Sequence, residues 1–144
     1  LNIAIKNADL LCKEFGLGKL DYAPGHQIIA MASVKLYRTS GQKKYLDLAK
    51  FFLDARGKGN EYSQDHKKII NQTEAVGHAV RAAYMFSGTA NVAAITGDKT
   101  YLNAIDKIRE DIIEDKFYLT GGTRQHLLPL VGHERHASMG SIYV

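Results

Sequence analysis

The sequence predicts an all-α protein built from tandem αα-hairpins. Three observations carry this. Apolar residues recur at helical intervals along nearly the whole chain. No segment longer than four residues reads as a strand. A six-residue joint also occurs twice: Gly41-Gln42-Lys43-Lys44-Tyr45-Leu46 matches Gly97-Asp98-Lys99-Thr100-Tyr101-Leu102 at a shift of 56 residues.

The first helix is expected over residues 1–15, with Ile3, Leu10, Leu11 and Phe15 on one stripe and Asn2, Lys6, Asp9 and Lys13 turned outward. Gly16-Leu17-Gly18 stops it, and Pro24-Gly25 delays the next. Residues 26–38 form the second helix, with Ile29, Val34, Leu36 and Tyr37 apolar and Gly41 marking the end. The third covers residues 44–55 and offers Leu48, Phe51 and Phe52 to the core. Residues 56–68 are polar, contain Gly57 and Gly59, and read as a loop. Residues 69–95 are too long for one average helix, so a break or bend is expected at Ser87-Gly88. The last helix spans residues 101–114 with Leu102, Ile105, Ile108 and Ile112. Phe117-Tyr118-Leu119-Thr120 is a candidate short strand before Gly121-Gly122.

The repeat has a second part. Gly25-His26 opens one helix and Gly77-His78 opens or interrupts another, at a shift of 52 residues. The unit is therefore Gly-His, helix, Gly-x-Lys-x-Tyr-Leu, helix. Tandem units of this kind build solenoids or closed α/α toroids. If the units are equivalent, His26 and His78 face the same end of the assembly. There each imidazole offers a donor and an acceptor to a polar ligand.

Composition excludes several classes of function. The 144 residues are 45% hydrophobic and 24% charged, which fits one globular domain rather than a disordered or fibrous chain. The net charge is +4 and the isoelectric point about 9.1, but acids sit beside bases, as in Lys107-Ile108-Arg109-Glu110-Asp111. Nucleic-acid binding needs clustered Lys and Arg that displace counterions, so it is not expected. No apolar run reaches the roughly 18 residues of a membrane span, and no membrane partner is expected. Cys12, the single cysteine, excludes a disulfide framework and any Cys-only metal site. The start, Leu1-Asn2-Ile3-Ala4-Ile5-Lys6, carries neither an initiator Met nor a signal-peptide pattern. It reads as an internal stretch of a soluble protein, and cytoplasmic and exported locations stay open.

Other constellations are weaker. Glu74 and His78 are four apart and would share a helical face, an acid orienting an imidazole. Gln64, Asp65 and His66 lie in the loop feeding that helix, and Gln72 would reach the same rim from the helix itself. His126, His133 and His136 crowd the tail. However, His133-Glu134-Arg135-His136 spaces its histidines three apart, where the zinc-protease motif needs four. Gly121-Gly122 is not followed by the Lys-Ser/Thr of a phosphate loop.

Several longer stretches are more specific when taken in order. They are Pro24-Gly25-His26, Val34-Lys35-Leu36-Tyr37 and the run from Tyr45-Leu46-Asp47-Leu48 through Phe51-Phe52-Leu53-Asp54. Tyr62-Ser63-Gln64-Asp65-His66-Lys67 and Gln72-Thr73-Glu74-Ala75-Val76-Gly77-His78-Ala79-Val80-Arg81-Ala82 follow. Ala90-Asn91-Val92-Ala93-Ala94-Ile95-Thr96-Gly97-Asp98 and Tyr118-Leu119-Thr120-Gly121-Gly122 complete the series. Together they resemble the family 127 glycoside hydrolases, the β-L-arabinofuranosidases, almost continuously over residues 1–122.

The resemblance implies part of an (α/α)6 barrel and release of terminal β-L-arabinofuranosyl groups from plant glycans with retention of configuration. It also implies that the histidines of the Pro-Gly-His and Val-Gly-His motifs touch the sugar. These match His26 and His78, and His66 and Gln72 join them as candidate substrate-binding residues. In the complete family enzyme the resemblance implies a zinc-held cysteine thiolate as nucleophile and a glutamate acid/base.

Neither group has a counterpart here. After Gly122 the chain reads Thr123-Arg124-Gln125-His126-Leu127-Leu128-Pro129-Leu130, which matches none of the family's catalytic segments. Glu134 has the wrong flanks, and Cys12 lies in the first helix. Lys68 stands where the family has proline, and Ala30 where many members carry an acid. No catalytic residue, metal ligand or resident cofactor is therefore assigned in this chain. Residues 1–122 are expected to be a partial barrel domain, and residues 123–144 a divergent tail, for which a frame shift near Gly122 is one explanation and a native short protein the other. Retaining glycosidases place two catalytic groups about 5 Å apart, and this chain supplies only the sugar-binding half.

Two other functions stay open: a helical module that binds protein or glycan without catalysis, and an independent hydrolase using Glu74 or Asp65 with His78. A partial barrel would also expose apolar helix faces, through which a homodimer would form.

Overall fold

The computed structural model of the chain describes residues 1–118 and 121–123. Among these, five α-helices follow one another: α1 (Asn2–Glu14), α2 (Ile28–Ser40), α3 (Lys43–Asp54), α4 (Ala79–Thr96) and α5 (Lys99–Asp111). A 3-10 turn (Ile69–Asn71) precedes α4 and a π turn (Ile112–Lys116) closes α5. The described strand-like pairing is confined to isolated bridges, Phe15 with Leu20 and Phe117 with Thr123. The candidate strand is thus reduced to a single bridge at Phe117; Leu119 and Thr120, like residues 124–144 of the expected tail, lie outside the described residues.

The repeated joint does what its sequence requires. Gly41 and Gly97 both take the left-handed conformation, at φ 70° and 71°, and their N–H groups close on Tyr37 O and Ala93 O. This is the helix-ending geometry that glycine adopts without a Cβ penalty. Asp98 then accepts a hydrogen bond from Thr100 N at 2.9 Å and caps α5. Two residues further on in each helix, Tyr45 and Tyr101 are fully buried. α2 with α3 and α4 with α5 are therefore antiparallel hairpins, and α2 lies against α4.

Small residues allow the close approach of α2 and α4. Ala30, Ala82, Val92 and Ala93 sit in the core with Val34, Leu53, Ile69, Met85, Tyr101 and Ile108. Gly88 belongs to this contact: a Cβ there would lie 3.3 Å from Met31 N and 3.4 Å from Ala30 Cβ. The break expected at Ser87-Gly88 is absent, and α4 runs unbroken from Ala79 to Thr96. The glycine serves packing, and the real interruption falls between Asn71 and Ala79, where the expected helix over residues 69–95 is extended or turned.

Two apolar stripes also differ from expectation. On α1, Ile3 and Leu10 are 85% and 55% exposed, while Ala8 is buried and Ile5, Leu11 and Phe15 are half-buried. Among the described residues the helix is packed chiefly against α2 and α3, and Phe15 anchors it edge-on to Phe52 with ring centroids 5.2 Å apart. On α5, Leu102 points outward, while Tyr101, Ala104 and Ile108 face the core.

A buried ion pair fixes the far end of α5. Lys116 is 2% exposed, and its Nζ reaches Asp111 Oδ2 at 2.5 Å. The same carboxylate oxygen accepts the backbone N–H of Ala75 at 2.7 Å, tying the π turn to the segment that leads into α4.

Candidate functional site

The start of α2, the end of α3 and the start of α4 meet at one end of the bundle, opposite the Gly41 and Gly97 turns. His26, His66, Gln72 and His78 all come from the connections at that end. The two Gly-His pairs are not in the same register. His78 is the N-cap residue of α4, whereas Gln27 caps α2 and His26 lies one residue earlier.

Their glycines differ as well. Gly77 has φ +76° and a Cβ there would lie 2.0 Å from Glu61 O, so the chain passes directly over residues 61–62. Gly25 has no neighbour within 4 Å of such a Cβ.

His26 is exposed. Its Nδ1 accepts the backbone N–H of Ile28 at 3.2 Å, which leaves Nε2 as the donor of the neutral ring. Its ring stands edge-on to Tyr84 of α4 with centroids 5.6 Å apart. His78 is half-buried and stands edge-on to Tyr62 at 5.5 Å, while its N–H donates to Tyr62 O at 3.1 Å. Arg81, three residues into α4, donates to Gly25 O at 2.7 Å and lies 5.6 Å from the Tyr62 ring centroid. The path from His26 to His78 is thus filled by Tyr84, Arg81 and Tyr62.

A second cation stabilises the turn before His26. Arg56 is buried, and its guanidinium donates to Pro24 O at 3.3 Å and Ser63 O at 3.4 Å. Burial pulls its pKa down, and the charge of Asp65 partly restores it.

Beneath the histidines lies a set of buried glutamines. Gln27 Nε2 donates to Ser63 O at 2.6 Å and to Gln64 Oε1 at 3.0 Å. Gln64 Nε2 faces the carbonyls of Tyr62, Val76 and His78 at 3.0, 2.9 and 3.3 Å. Gln72 Nε2 donates to Gln64 O at 3.0 Å and Lys67 O at 2.8 Å. Every amide nitrogen thus faces carbonyl oxygens, which fixes the orientation of all three side chains. Gln64 holds φ 54°, a left-handed conformation that costs a residue with a Cβ about 1 kcal/mol. Its completely buried amide, bonded on every side, offsets that cost.

The remaining candidates take other places. Gln72 follows the 3-10 turn rather than lying in a helix, and it is buried below the rim. His66 is half-buried, with an Nδ1 that finds no partner among the described residues. Asp65 Oδ1 accepts Gly57 N–H at 2.7 Å and so closes the loop over residues 57–65. Glu74 is exposed on a non-helical segment, and the helical face it was expected to share with His78 does not exist, because α4 begins at Ala79. Cys12 lies on α1 against Lys44 O, and burial pushes its thiol up. Among the described residues no three His, Cys, Asp or Glu side chains group as metal ligands. The zinc that the family resemblance implies has no donor set among the described residues. The clefts of about 280 Å³ beside Cys12 and Lys44 and about 370 Å³ beside Leu17 and Asp21 lie away from the histidines. The histidine rim is one open wall.

Gln27, Arg56, Arg81, Tyr62 and Tyr84 were not singled out by sequence. For Arg81 and Tyr84 the available signal was their i, i+3 spacing on α4.

The profile of the β-L-arabinofuranosidase GH127 catalytic domain matches residues 1–136, a span that runs past Gly122. The non-reducing end β-L-arabinofuranosidase of Bifidobacterium longum subsp. longum is 31% identical over 147 aligned positions, which cover 84% of this chain and 22% of that enzyme. A solved GH127 β-arabinofuranosidase is 59% identical with a TM-score of 0.81, over 85% of this chain and 20% of its own. The solved GH127 β-L-arabinofuranosidase of Geobacillus stearothermophilus T6 is 34% identical with a TM-score of 0.79, over 83% of this chain and 22% of its own. The chain spans about a fifth of the length of these relatives.

Proposed function

The chain belongs to the GH127 β-L-arabinofuranosidase catalytic-domain family, and from this we propose that it forms the part of an arabinofuranosidase that grips the terminal sugar. Its helices are the tandem hairpins of an (α/α)6 barrel. The observation that carries the proposal is the convergence of His26 and His78 at one end, linked through Tyr84, Arg81 and Tyr62.

The chemistry available there is binding and orientation. His26 Nε2 is free to donate to a sugar hydroxyl, because Nδ1 is engaged by Ile28. His78 and His66 supply further ring nitrogens from the half-buried rim, and Gln72 supports them from below. The flat faces of Tyr62 and Tyr84 suit the apolar side of a furanose ring. Hydrolysis also needs an acid/base and a nucleophile across the scissile bond. The rim carries no such pair among the described residues, since Asp65 is tied to Gly57 and Glu74 is not beside His78. The zinc-bound nucleophile expected of the family would therefore come from other parts of a complete enzyme.

The experiment is a titration of the chain with methyl β-L-arabinofuranoside, followed by the imidazole NMR resonances of its histidines. Movement of His26 and His78 together is expected, with affinity reduced about tenfold by His26→Ala or His78→Ala. Unmoved imidazoles at saturating sugar would refute the reading.

The same rim also suits a second reading, glycan binding without catalysis. It predicts sugar binding with no turnover under any condition. Exposed Ile3, Leu10 and Leu17 further support self-association; a clean monomer by light scattering at high concentration would refute that.

A further inference from the structure

We infer that Gln64 is a positioning residue that sets the placement of His26 relative to His78. The inference deepens the arabinofuranoside-binding reading and rests on it for its consequence. Among the described residues, Gln64 is bonded directly to both histidine-bearing helix starts. One arm runs from its Oε1 to Gln27 Nε2 at 3.0 Å, and Gln27 is the cap residue of α2, adjacent to His26. The other runs from its Nε2 to Val76 O at 2.9 Å and His78 O at 3.3 Å, on either side of Gly77. Two amide protons thus serve three carbonyls, Tyr62 O being the third at 3.0 Å.

The local backbone shows that the arrangement is built around this side chain. Gln64 is completely buried and keeps a left-handed φ of 54°, which turns its amide inward. Gln72 holds its carbonyl from the other side at 3.0 Å. The two arms span 37 residues toward Gln27 and 14 toward His78. Together with the Arg81 bond to Gly25 O, the amide holds the register between those segments. A substrate held by both imidazoles would feel any slip of one helix start against the other.

The test uses the 144-residue chain with isotope-labelled histidine. Gln64→Met removes both arms. Gln27→Met cuts the α2 arm together with the Gln27 bond to Ser63 O, at nearly constant volume and with the α4 arm intact, and it carries the test if the first variant does not fold. Without sugar, Gln27→Met is expected to shift the resonances of His78, a residue it does not touch. With methyl β-L-arabinofuranoside, its affinity is expected to fall about tenfold while the melting transition stays cooperative. Unmoved His78 resonances in Gln27→Met would overturn the coupling, whether or not sugar binds. Shifted resonances with unchanged affinity would overturn the positioning role. Absence of sugar binding in the unsubstituted chain would overturn the arabinofuranoside reading alone, leaving the sugar-free shift to decide the coupling.

Discussion

The hydroxyl of Tyr101 donates to Asp54, so the first turn of α5 is fastened to the last residue of α3. Tyr45 does the same one hairpin earlier, donating to Asp9 of α1 at 2.8 Å. Each pair recruits a lysine: Lys50 reaches Asp54 at 2.8 Å, and Lys44 reaches Asp9 at 2.5 Å. The Tyr of the repeated Gly-x-Lys-x-Tyr-Leu joint is thus a latch between consecutive hairpins, and its buried ring and polar tip explain why the position repeats.

Tyr101→Phe keeps the buried ring and removes the latch. The loss is expected to be about 1 kcal/mol, or roughly 3–5 °C in melting temperature. Tyr101→Leu should cost clearly more, because the ring volume goes as well. Thermal melts of the two variants distinguish the hydroxyl from the ring.

The two Gly-His pairs predict opposite outcomes for one substitution. Gly77→Ala places a Cβ against Glu61 O at 2.0 Å and on a backbone with φ +76°. It should destabilise the chain by about 3 kcal/mol or more. Gly25→Ala meets open space and should stay within about 0.5 kcal/mol. Equal losses in denaturant melts would show that the pairs are equivalent after all.

Much of this was legible in the sequence, and the failures have physical causes. The joints at Gly41 and Gly97 were readable because a left-handed helix end selects glycine locally. Gly88 was misread as a break because its reason is a neighbour, Met31, lying 57 positions away. Ile3 and Leu102 were misplaced because periodicity defines a stripe but not which part of it finds a partner. The repeat singled out His26 and His78 but not the difference in their registers, which depends on where each helix starts. Gln64 was noticed as a loop residue, but its role depends on Gln27 and Val76, which no spacing rule connects.

Asp111 and Lys116 test how a buried pair behaves. Asp111→Ala strands the 2%-exposed ammonium of Lys116 and leaves Ala75 N–H without its acceptor. The expected cost is about 3 kcal/mol. Lys116→Met should cost less, since Asp111 keeps the Ala75 bond. The double variant should lose less than the sum of the two, because no uncompensated charge remains. Urea titrations of the three proteins give the cycle directly.

The latches also predict how stability depends on pH. Hydrogen bonds from Lys44, then Tyr45, hold the Asp9 carboxyl below its ordinary range, and Thr100 does the same for Asp98. A carboxyl depressed in the folded state contributes stability above its unfolded pKa of about 4 and loses it as pH falls through the folded value. At the alkaline side, burial and then Asp54 push Tyr101 far up, burial and then Asp9 raise Tyr45, and Asp9 raises Lys44. These groups contribute fully below their unfolded values near 10, and their contribution declines as pH rises from there toward the folded ones. Melting temperature should therefore be flat from about pH 5 to 9 and fall on both sides. Tyr101→Phe should shallow the alkaline decline while leaving the acid limb in place. An unchanged alkaline limb in that variant would remove Tyr101 as its source.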